Sequence, residues 1–340
     1  MIYRLLRSLM FQFDAEKAHY LSLKGLNMLE MSGLSSLIHQ QVAATPVRVM
    51  GLTFPNSVGL AAGLDKNGDY IEALAALGFG FIEIGTVTPR PQSGNPKPRL
   101  FRLPEAEAII NRMGFNNFGV DHLVEQVKVA QTKAVIGINI GKNFDTPVEK
   151  AVDDYLIGLS KVYPHADYVA INISSPNTPG LRTLQFGDSL NELLGKLKEQ
   201  QIRLQEQYQR YVPMAVKVAP DLELEEVEQL AQAFTQFEID AVIATNTTMA
   251  RDAVEGMNNA DETGGLSGRP VFEKSTDIVR QFRHALPESL PIIAAGGIMS
   301  ANDALQKLDA GASLVQIYSG LIYQGPALVR NIIKAIEERK

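Results

Sequence analysis

Eight short apolar runs, distributed between residues 58 and 320, constrain the fold more than any other feature of the sequence. They are near-continuous rather than alternating, as expected for parallel strands that are covered on both faces. Amphipathic stretches lie between them. Eight strand–helix units predict an α/β fold, a closed (β/α)8 TIM barrel; a doubly wound open sheet is the alternative, but the even distribution favours closure. The runs span 58–63, 81–87, 134–140, 168–174, 214–219, 241–247, 291–297 and 314–320, and the amphipathic stretches include 69–78, 120–130, 189–208 and 225–234.

The first 45 residues differ from the rest. Residues 14–29 predict a helix with Asp14 as its N-cap, and residues 33–40 predict a second, short helix. Their apolar content exceeds what a helical pair buries against itself, so the segment either docks onto the barrel or lies on a membrane surface and admits an apolar ligand. We therefore divide the chain into an N-terminal helical extension, 1–45, and a barrel domain, 46–340.

Composition excludes several classes of function. The net charge of -6 argues against a nucleic-acid partner. The absence of cysteine excludes disulfides, thiolate metal sites and a cysteine nucleophile. All five histidines fall away from the carboxyl ends of the predicted strands, so we expect neither histidine acid–base chemistry nor a metal. No apolar run is long enough to span a membrane, and the N-terminus lacks a signal-peptide core.

Two junctions are too long for simple turns. Residues 88–118 are proline-rich and contain a hairpin-like pair, "RLFRL" and "AIINR", and residues 248–270 form the second junction. Both follow strands, so both are expected at the carboxyl face of the barrel, where barrel enzymes carry their sites.

The strand ends are rich in amides and hydroxyls and poor in acids. Lys66 and Lys217 lie at strand ends, where lysine is costly to bury without an anion. "AAGGI" after the seventh run and "YSG" after the eighth fit the usual barrel phosphate site, with Gly268 as a third backbone donor. Asp65 is the only carboxylate at these junctions, so paired-carboxylate glycosidase chemistry lacks its pair. Flavin mononucleotide (FMN) fits a site of this kind.

The stretch "INISSPNTPG", residues 171–180, is ambiguous by itself. Serine, asparagine, proline and glycine form turns for local hydrogen-bonding reasons, so a turn is the simple interpretation. Its position at the end of a buried run favours a functional one.

Taken together, "AAGLDKNG", "NRMGFNN", "GINIGKN", "AINISSPNTPGLR", "VKVAPDL", "IATNTT", "GGLSGRP" and "GASLVQIYSG" resemble the class 2 dihydroorotate dehydrogenases over essentially the whole chain. The resemblance implies oxidation of dihydroorotate to orotate through FMN with a respiratory quinone as acceptor, the fourth step of pyrimidine biosynthesis. It also implies peripheral attachment, through the N-terminal helices, to the cytoplasmic face of the inner membrane.

The resemblance also implies roles for residues. Ser175 is the base that removes a proton from C5 of dihydroorotate while the C6 hydride goes to flavin N5; the cytosolic class 1 enzymes use cysteine there. Thr178 is a candidate relay partner, Lys66 lies between substrate and flavin, and His19 and Arg102 are candidate quinone contacts. The implied substrate residues are Lys66, Asn111, Arg112, Met113, Gly114, Phe115, Asn172, Asn177, Asn246 and Thr247. The implied FMN residues are Ala62, Gly63, Leu64, Asp65, Lys66, Thr86, Asn139, Asn172, Lys217, Thr245, Gly268, Gly297, Tyr318 and Ser319.

Two other functions are compatible with parts of the pattern. Another flavin barrel, such as a dihydropyrimidine or enoate reductase, would need a nicotinamide-binding segment or cysteine clusters, and the chain has neither. A phosphate-binding scaffold on a membrane surface would have no need of two strand-end lysines and a cluster of amides.

Overall fold

The computed structural model describes residues 2–32 and 38–339, and their regular elements follow the predicted alternation. The strands in these residues are β1 (Val47–Val49), β2 (Leu52–Phe54), β3 (Val58–Leu60), β4 (Phe81–Val87), β5 (Leu100–Leu103), β6 (Ala108–Asn111), β7 (Val135–Ile140), β8 (Tyr168–Asn172), β9 (Met214–Val218), β10 (Ala241–Ala244), β11 (Gly265–Gly268), β12 (Ile292–Ala295) and β13 (Leu314–Ile317). The α-helices are α1 (Ile2–Met10), α2 (Ala15–Met31), α3 (Ile71–Ala75), α4 (Val120–Val129), α5 (Ala151–Val162), α6 (Gly187–Tyr208), α7 (Leu224–Gln236), α8 (Phe272–Ala285), α9 (Ala301–Asp309), α10 (Ser319–Gln324) and α11 (Ala327–Glu338).

Eight of these strands close into a parallel barrel, which confirms the predicted fold. The order around the barrel is β3-β4-β7-β8-β9-β10-β12-β13, and β13 pairs with β3 through Val315 and Val58. Most strands end before the predicted runs do: β8 stops at Asn172 and β10 at Ala244. The polar residues that follow leave the ladder and bond to one another, so the predicted strand tails belong to the site.

The outer helices pack on the barrel through regularly spaced apolar side chains. In α7 the buried residues Val227, Leu230 and Phe234 recur at helical spacing and face the core. Phe234 stacks on Phe282 of α8 with ring centroids 6.3 Å apart. This shell covers the outer faces of the barrel strands.

A short hairpin that the sequence analysis did not predict closes the amino end of the barrel. Strands β1 and β2 pair antiparallel and pack with Phe81 and Tyr168, which fill the barrel interior. Phe54 meets Phe81 edge-on, with centroids 5.3 Å apart. A ligand therefore has access from the carboxyl end.

The two long junctions combine into one cover over that carboxyl end. Strands β5 and β6 form the predicted hairpin, and β11 from the second junction joins β6 antiparallel, with Gly265 opposite Asn111. The three-stranded sheet brings Asn111 of the first junction beside the barrel opening.

The N-terminal helices lie against the barrel but keep an apolar face exposed. Asp14 caps α2 as predicted, accepting a hydrogen bond from the N–H of Lys17 at 3.0 Å. Tyr3 in α1 donates to the carbonyl of Ile322 at 2.7 Å. The helix predicted at 33–40 falls outside the described residues except for 38–40, which are not helical. Within the described ranges no helix is both long and apolar enough to cross a membrane.

Candidate active site

A cleft opens at the carboxyl ends of the barrel strands, under the three-stranded cover. It lies where barrel enzymes carry their chemistry, and its wall includes most of the residues singled out in the sequence. Those predicted residues are Ala62, Gly63, Lys66, Thr86, Asn111, Met113, Gly114, Phe115, Asn172, Ser175, Asn177, Lys217, Thr245, Asn246, Thr247, Gly268, Gly297, Tyr318 and Ser319.

A network of amides and hydroxyls holds one side of this cleft. Asn246 donates to the Ser174 hydroxyl at 2.9 Å, and Asn172 donates to the Thr86 hydroxyl at 2.9 Å. Thr86 in turn donates to Asn139 at 2.5 Å. Residues from four strands thus fix one another, which leaves their orientation set before any ligand arrives.

A buried carboxylate that the sequence analysis overlooked lies beneath this network. Glu83 of β4 is fully buried and accepts from Asn139 at 2.8 Å, Tyr168 at 3.0 Å and Gln316 at 2.7 Å. The Lys217 ammonium lies 3.6 Å from it. Glu83 is therefore the anion that the buried Lys217 requires. The sequence signal that could have revealed this carboxylate is the single glutamate within the apolar run 81–87.

Ser175 lies buried in the cleft at the start of the loop after β8. The N–H of Asn177 donates to its hydroxyl oxygen at 3.2 Å, and the Asn177 side chain donates to Asn111 at 3.3 Å. The Thr178 hydroxyl oxygen is buried and has no hydrogen-bond partner within the described part of the chain. "INISSPNTPG" therefore does turn, and the turn presents Ser175 to the cleft.

Arg182 fixes this turn, a second contribution that the sequence analysis did not foresee. Its guanidinium donates to the carbonyls of Ser174 at 3.2 Å and Thr247 at 3.0 Å. It also pairs with Asp221 at 3.0 Å. Arg182 therefore locks the loops after β8 and β10 together.

Charge at the mouth of the cleft centres on Lys66. The pKa of Lys66 is lowered to about 8, first by burial and then by the Arg99 guanidinium, while the Glu16 and Asp65 carboxylates partly oppose the shift. His19 of α2 lies close enough to Lys66 for the two charges to repel. Burial, and then the Lys66 charge, lower the pKa of His19 to about 3. His19 is consequently a neutral imidazole at physiological pH.

Besides Asn139, Thr178 and His19, four predicted site residues lie outside the cleft wall. Leu64 packs in the hydrophobic core. The Asp65 carboxylate holds its own loop, accepting backbone N–H groups that include Tyr70 at 2.8 Å. The Arg112 side chain pairs with Glu262 at 2.6 Å. Loop geometry turns these side chains away from the cleft.

The fourth, Arg102, ties the N-terminal segment to β5. Its guanidinium donates to the carbonyls of Met10, at 3.2 Å, and Phe13, and it lies 4.5 Å from the centroid of the Phe11 ring. Arg102 therefore lies at the junction of the helices and the cover.

Glycines shape the opposite wall. Gly297 has φ +77°, and a Cβ there would lie 2.4 Å from the Phe272 Cα. At Gly268, with φ +100°, a Cβ would lie 2.3 Å from the Glu107 carbonyl oxygen. Only glycine fits such positions, and it leaves the backbone open to a ligand. Across residues 2–32 and 38–339, no three carboxylates or imidazoles gather as metal ligands.

These features define a TIM-barrel enzyme whose site combines a buried serine, a set of amides and a paired lysine. The chain belongs to the dihydroorotate dehydrogenase family, whose model matches residues 44–339.

Similar proteins extend the match beyond those residues. The "Dihydroorotate dehydrogenase (quinone)" of Aliivibrio fischeri (strain MJ11) is 60% identical over 99% of this chain and 100% of its own length. The protein of the same name from Azotobacter vinelandii is 61% identical over 98% of this chain and 96% of its own length. The crystal structure of DHODH in complex with ferulenol from Eimeria tenella superposes with a TM-score of 0.86 at 37% identity, covering 96% of this chain and 91% of that one.

Proposed function

We propose that the cleft holds FMN and dihydroorotate together, with Ser175 as the base, while the chain oxidises dihydroorotate to orotate with a quinone as electron acceptor. Family membership and relatives named for the quinone reaction support the overall activity. The observation that carries the site assignment is the buried Ser175 hydroxyl facing a cleft lined by Asn111, Asn172, Asn177 and Asn246.

The cleft suits FMN on its donor set. The family is flavin-dependent. Buried oxygens of Thr247 and Gln316 in the wall lack partners in the described residues, as expected of atoms that await a ligand. Backbone N–H groups of Gly268, Gly297 and Ser319 would hold the phosphate. When bound, FMN supplies the acceptor for the substrate hydride and passes the electrons to quinone.

Lys217 would stabilise negative charge on the reduced cofactor. Its Glu83 partner keeps the ammonium in place while the cofactor is neutral, and the pair as a whole carries no net charge. A cofactor that gains negative charge on reduction therefore finds a donor already oriented toward it.

Ser175 would remove the proton from C5 of the substrate. A serine hydroxyl is a weak base, so the proton must pass onward while the substrate's developing charge is stabilised. The unpartnered Thr178 hydroxyl is suited to that relay through water. A Thr178→Ala variant should reduce its flavin more slowly with dihydroorotate at unchanged orotate affinity; an unchanged rate would remove Thr178 from the mechanism.

The four amides would recognise the planar imide and the carboxylate of the substrate. A primary amide offers both a donor and an acceptor, which matches an imide edge. Lys66 would add a positive charge for the carboxylate. The loop 111–115 would close over the ring, with the side chains of Met113 and Phe115 toward the cleft.

The N-terminal extension, residues 1–45, would admit quinone from a membrane. Its helices expose a run of large apolar side chains, among them Leu5 at 70%, Met28 at 71% and Met31 at 80%. Such a face favours peripheral attachment to a lipid surface. We propose that this surface is the cytoplasmic side of the inner membrane, as the family resemblance implies. His19, in α2, and Arg102, in β5, would contact the quinone head.

Deleting residues 1–45 tests this division of labour. The barrel domain should still reduce flavin with dihydroorotate but lose quinone turnover and vesicle binding. Full quinone turnover by the truncated protein would contradict the proposal.

Cofactor and substrate are tested on the purified protein. The flavin released on denaturation should have the mass of FMN, and anaerobic addition of dihydroorotate should yield one orotate per bound flavin. Dihydrouracil, which lacks the carboxylate, should not react. Reduction by dihydrouracil in preference to dihydroorotate would assign the cleft to another dihydropyrimidine.

A further inference from the structure

A buried ion pair joins the second N-terminal helix to the cover of the cleft. Glu16 of α2 and Arg99, just before β5, are 4% and 6% exposed. The guanidinium donates to the carboxylate through Nε at 3.1 Å and Nη2 at 2.8 Å. Lys97, which is largely exposed, adds a contact at 3.2 Å. The two-pronged geometry fixes the helix and the cover relative to each other.

The other edge of the same guanidinium holds the loop that leads to the cleft. Arg99 Nη1 donates to the carbonyl oxygens of Ser93 at 2.6 Å and Asn95 at 2.9 Å. These bonds hold the backbone at Asn95 in place.

Asn95 carries the connection into the proposed substrate loops. Its N–H donates to the Met113 carbonyl at 3.1 Å. Its side chain donates to the carbonyls of Arg112 at 2.9 Å and Asn177 at 3.4 Å. Met113 and Asn177 both line the cleft. An unbroken path of hydrogen bonds therefore runs from α2 to both loops around Ser175.

The burial of this pair sets it apart from the other ion pairs of the cover. Arg269–Glu107 has side chains that are 56% and 26% exposed, and Arg112–Glu262 has values of 24% and 34%. Burying two charges is expensive, so such a pair contributes more to arrangement than to net stability.

We propose that Glu16 and Arg99 are positioning residues that couple the quinone-side helix to the substrate loops through Asn95. This inference rests on the proposed substrate role of those loops. Because coupling between two sites is reciprocal, substrate binding should also tighten the docking of α2.

The Glu16–Arg99 pair also affects the pKa of Lys66, and this effect distinguishes a positioning role from a purely structural one. Arg99, Glu16, Asp65 and His19 are the charged or titratable groups that face Lys66. Of these, Arg99 lowers the pKa of Lys66 and Glu16 raises it. Loss of the Glu16 charge therefore lowers the pKa of Lys66 from its wild-type value of about 8. Orotate binding, which favours the charged lysine, should then weaken at a lower pH.

The test is orotate titration of the full-length, flavin-loaded protein, followed by flavin absorbance across pH. Glu16→Gln should weaken orotate binding about tenfold or more and move the alkaline loss of affinity to lower pH. Glu107→Gln, which removes a carboxylate from the exposed pair on the same cover, should stay within about twofold of wild type. In wild type, orotate should also slow hydrogen exchange in α2, and in Glu16→Gln it should not.

Asn95→Ala keeps the ion pair and cuts only the connection to the loops, so it decides the question if Glu16→Gln fails to fold. It should weaken orotate binding without moving the pH midpoint. Wild-type orotate affinity in both variants would overturn the proposal. A wild-type protein that binds flavin but not orotate would instead contradict the proposed function.

Discussion

Replacing Glu83 with glutamine tests the charge arrangement at the centre of the barrel. The substitution keeps the shape of the side chain and removes its charge. Lys217 is then left buried without an anion, and three donors, Asn139, Tyr168 and Gln316, face an amide in place of a carboxylate. Burial, and then the nearby Glu83 charge, raise the pKa of Tyr168 well above its usual value, so its hydroxyl remains a donor.

Two estimates of the cost agree. Breaking a buried ion pair by removing one partner costs about 3–5 kcal/mol. Bonds to a charged acceptor contribute about 1 kcal/mol more each than neutral ones, and Glu83 accepts three, so their weakening alone costs roughly 3 kcal/mol. Either value is a large part of the 5–15 kcal/mol that typically stabilises a folded chain.

The assay is urea unfolding of the flavin-free protein at neutral pH, followed by far-ultraviolet circular dichroism. Glu83→Gln should lower the free energy of unfolding by about 3 kcal/mol or more. Adding Lys217→Met removes the unpaired cation and should recover part of the loss. A single variant within about 1 kcal/mol of wild type, or a double variant less stable than the single one, would refute the reasoning.

Two further substitutions probe the glycine wall and the helix behind it. Gly297→Ala should lose bound FMN, because its Cβ would meet Phe272. The control Gly51→Ala, at a similar φ of +76° but with open space around it, should retain FMN. The assay is the flavin-to-protein ratio after purification, and equal ratios in the two variants would contradict the role of the glycine wall. Lys307 is fully buried, and burial lowers its pKa from 10.5 to about 7. The unfolded chain therefore binds the proton more tightly, so wild-type stability should rise between about pH 7 and 10.5 by about 1.4 kcal/mol per unit. Lys307→Met should lack that part of the rise in urea titrations, and parallel pH curves would contradict it.

The sequence predicts the barrel well because its signal is local. Parallel strands covered on both faces are apolar at most positions, so each run is visible by itself. The hairpin β1–β2 has strands of three residues, too short for a periodic signal. The pairing of β11 with β6 joins residues more than 150 positions apart, which no local pattern encodes.

The sequence predicted which residues lie near the candidate site but not the directions in which their side chains point. Residues at the carboxyl ends of barrel strands meet by topology, which is why most of the predicted set lines one cleft. Asp65 and Arg112 turn away because loop backbones aim side chains independently of the strands. Glu83 escaped notice because its partner Lys217 comes from another strand and is adjacent only in the closed barrel.

The central claim is that Ser175 acts as the base, and anaerobic mixing with dihydroorotate tests it most directly. Flavin absorbance should bleach rapidly in wild type and roughly 10²–10⁴-fold more slowly in Ser175→Ala, with FMN content and orotate affinity unchanged. The control Ser174→Ala removes a neighbouring hydroxyl that lies outside the cleft wall, and it should slow bleaching by less than about tenfold. Bleaching of Ser175→Ala at the wild-type rate would contradict the account.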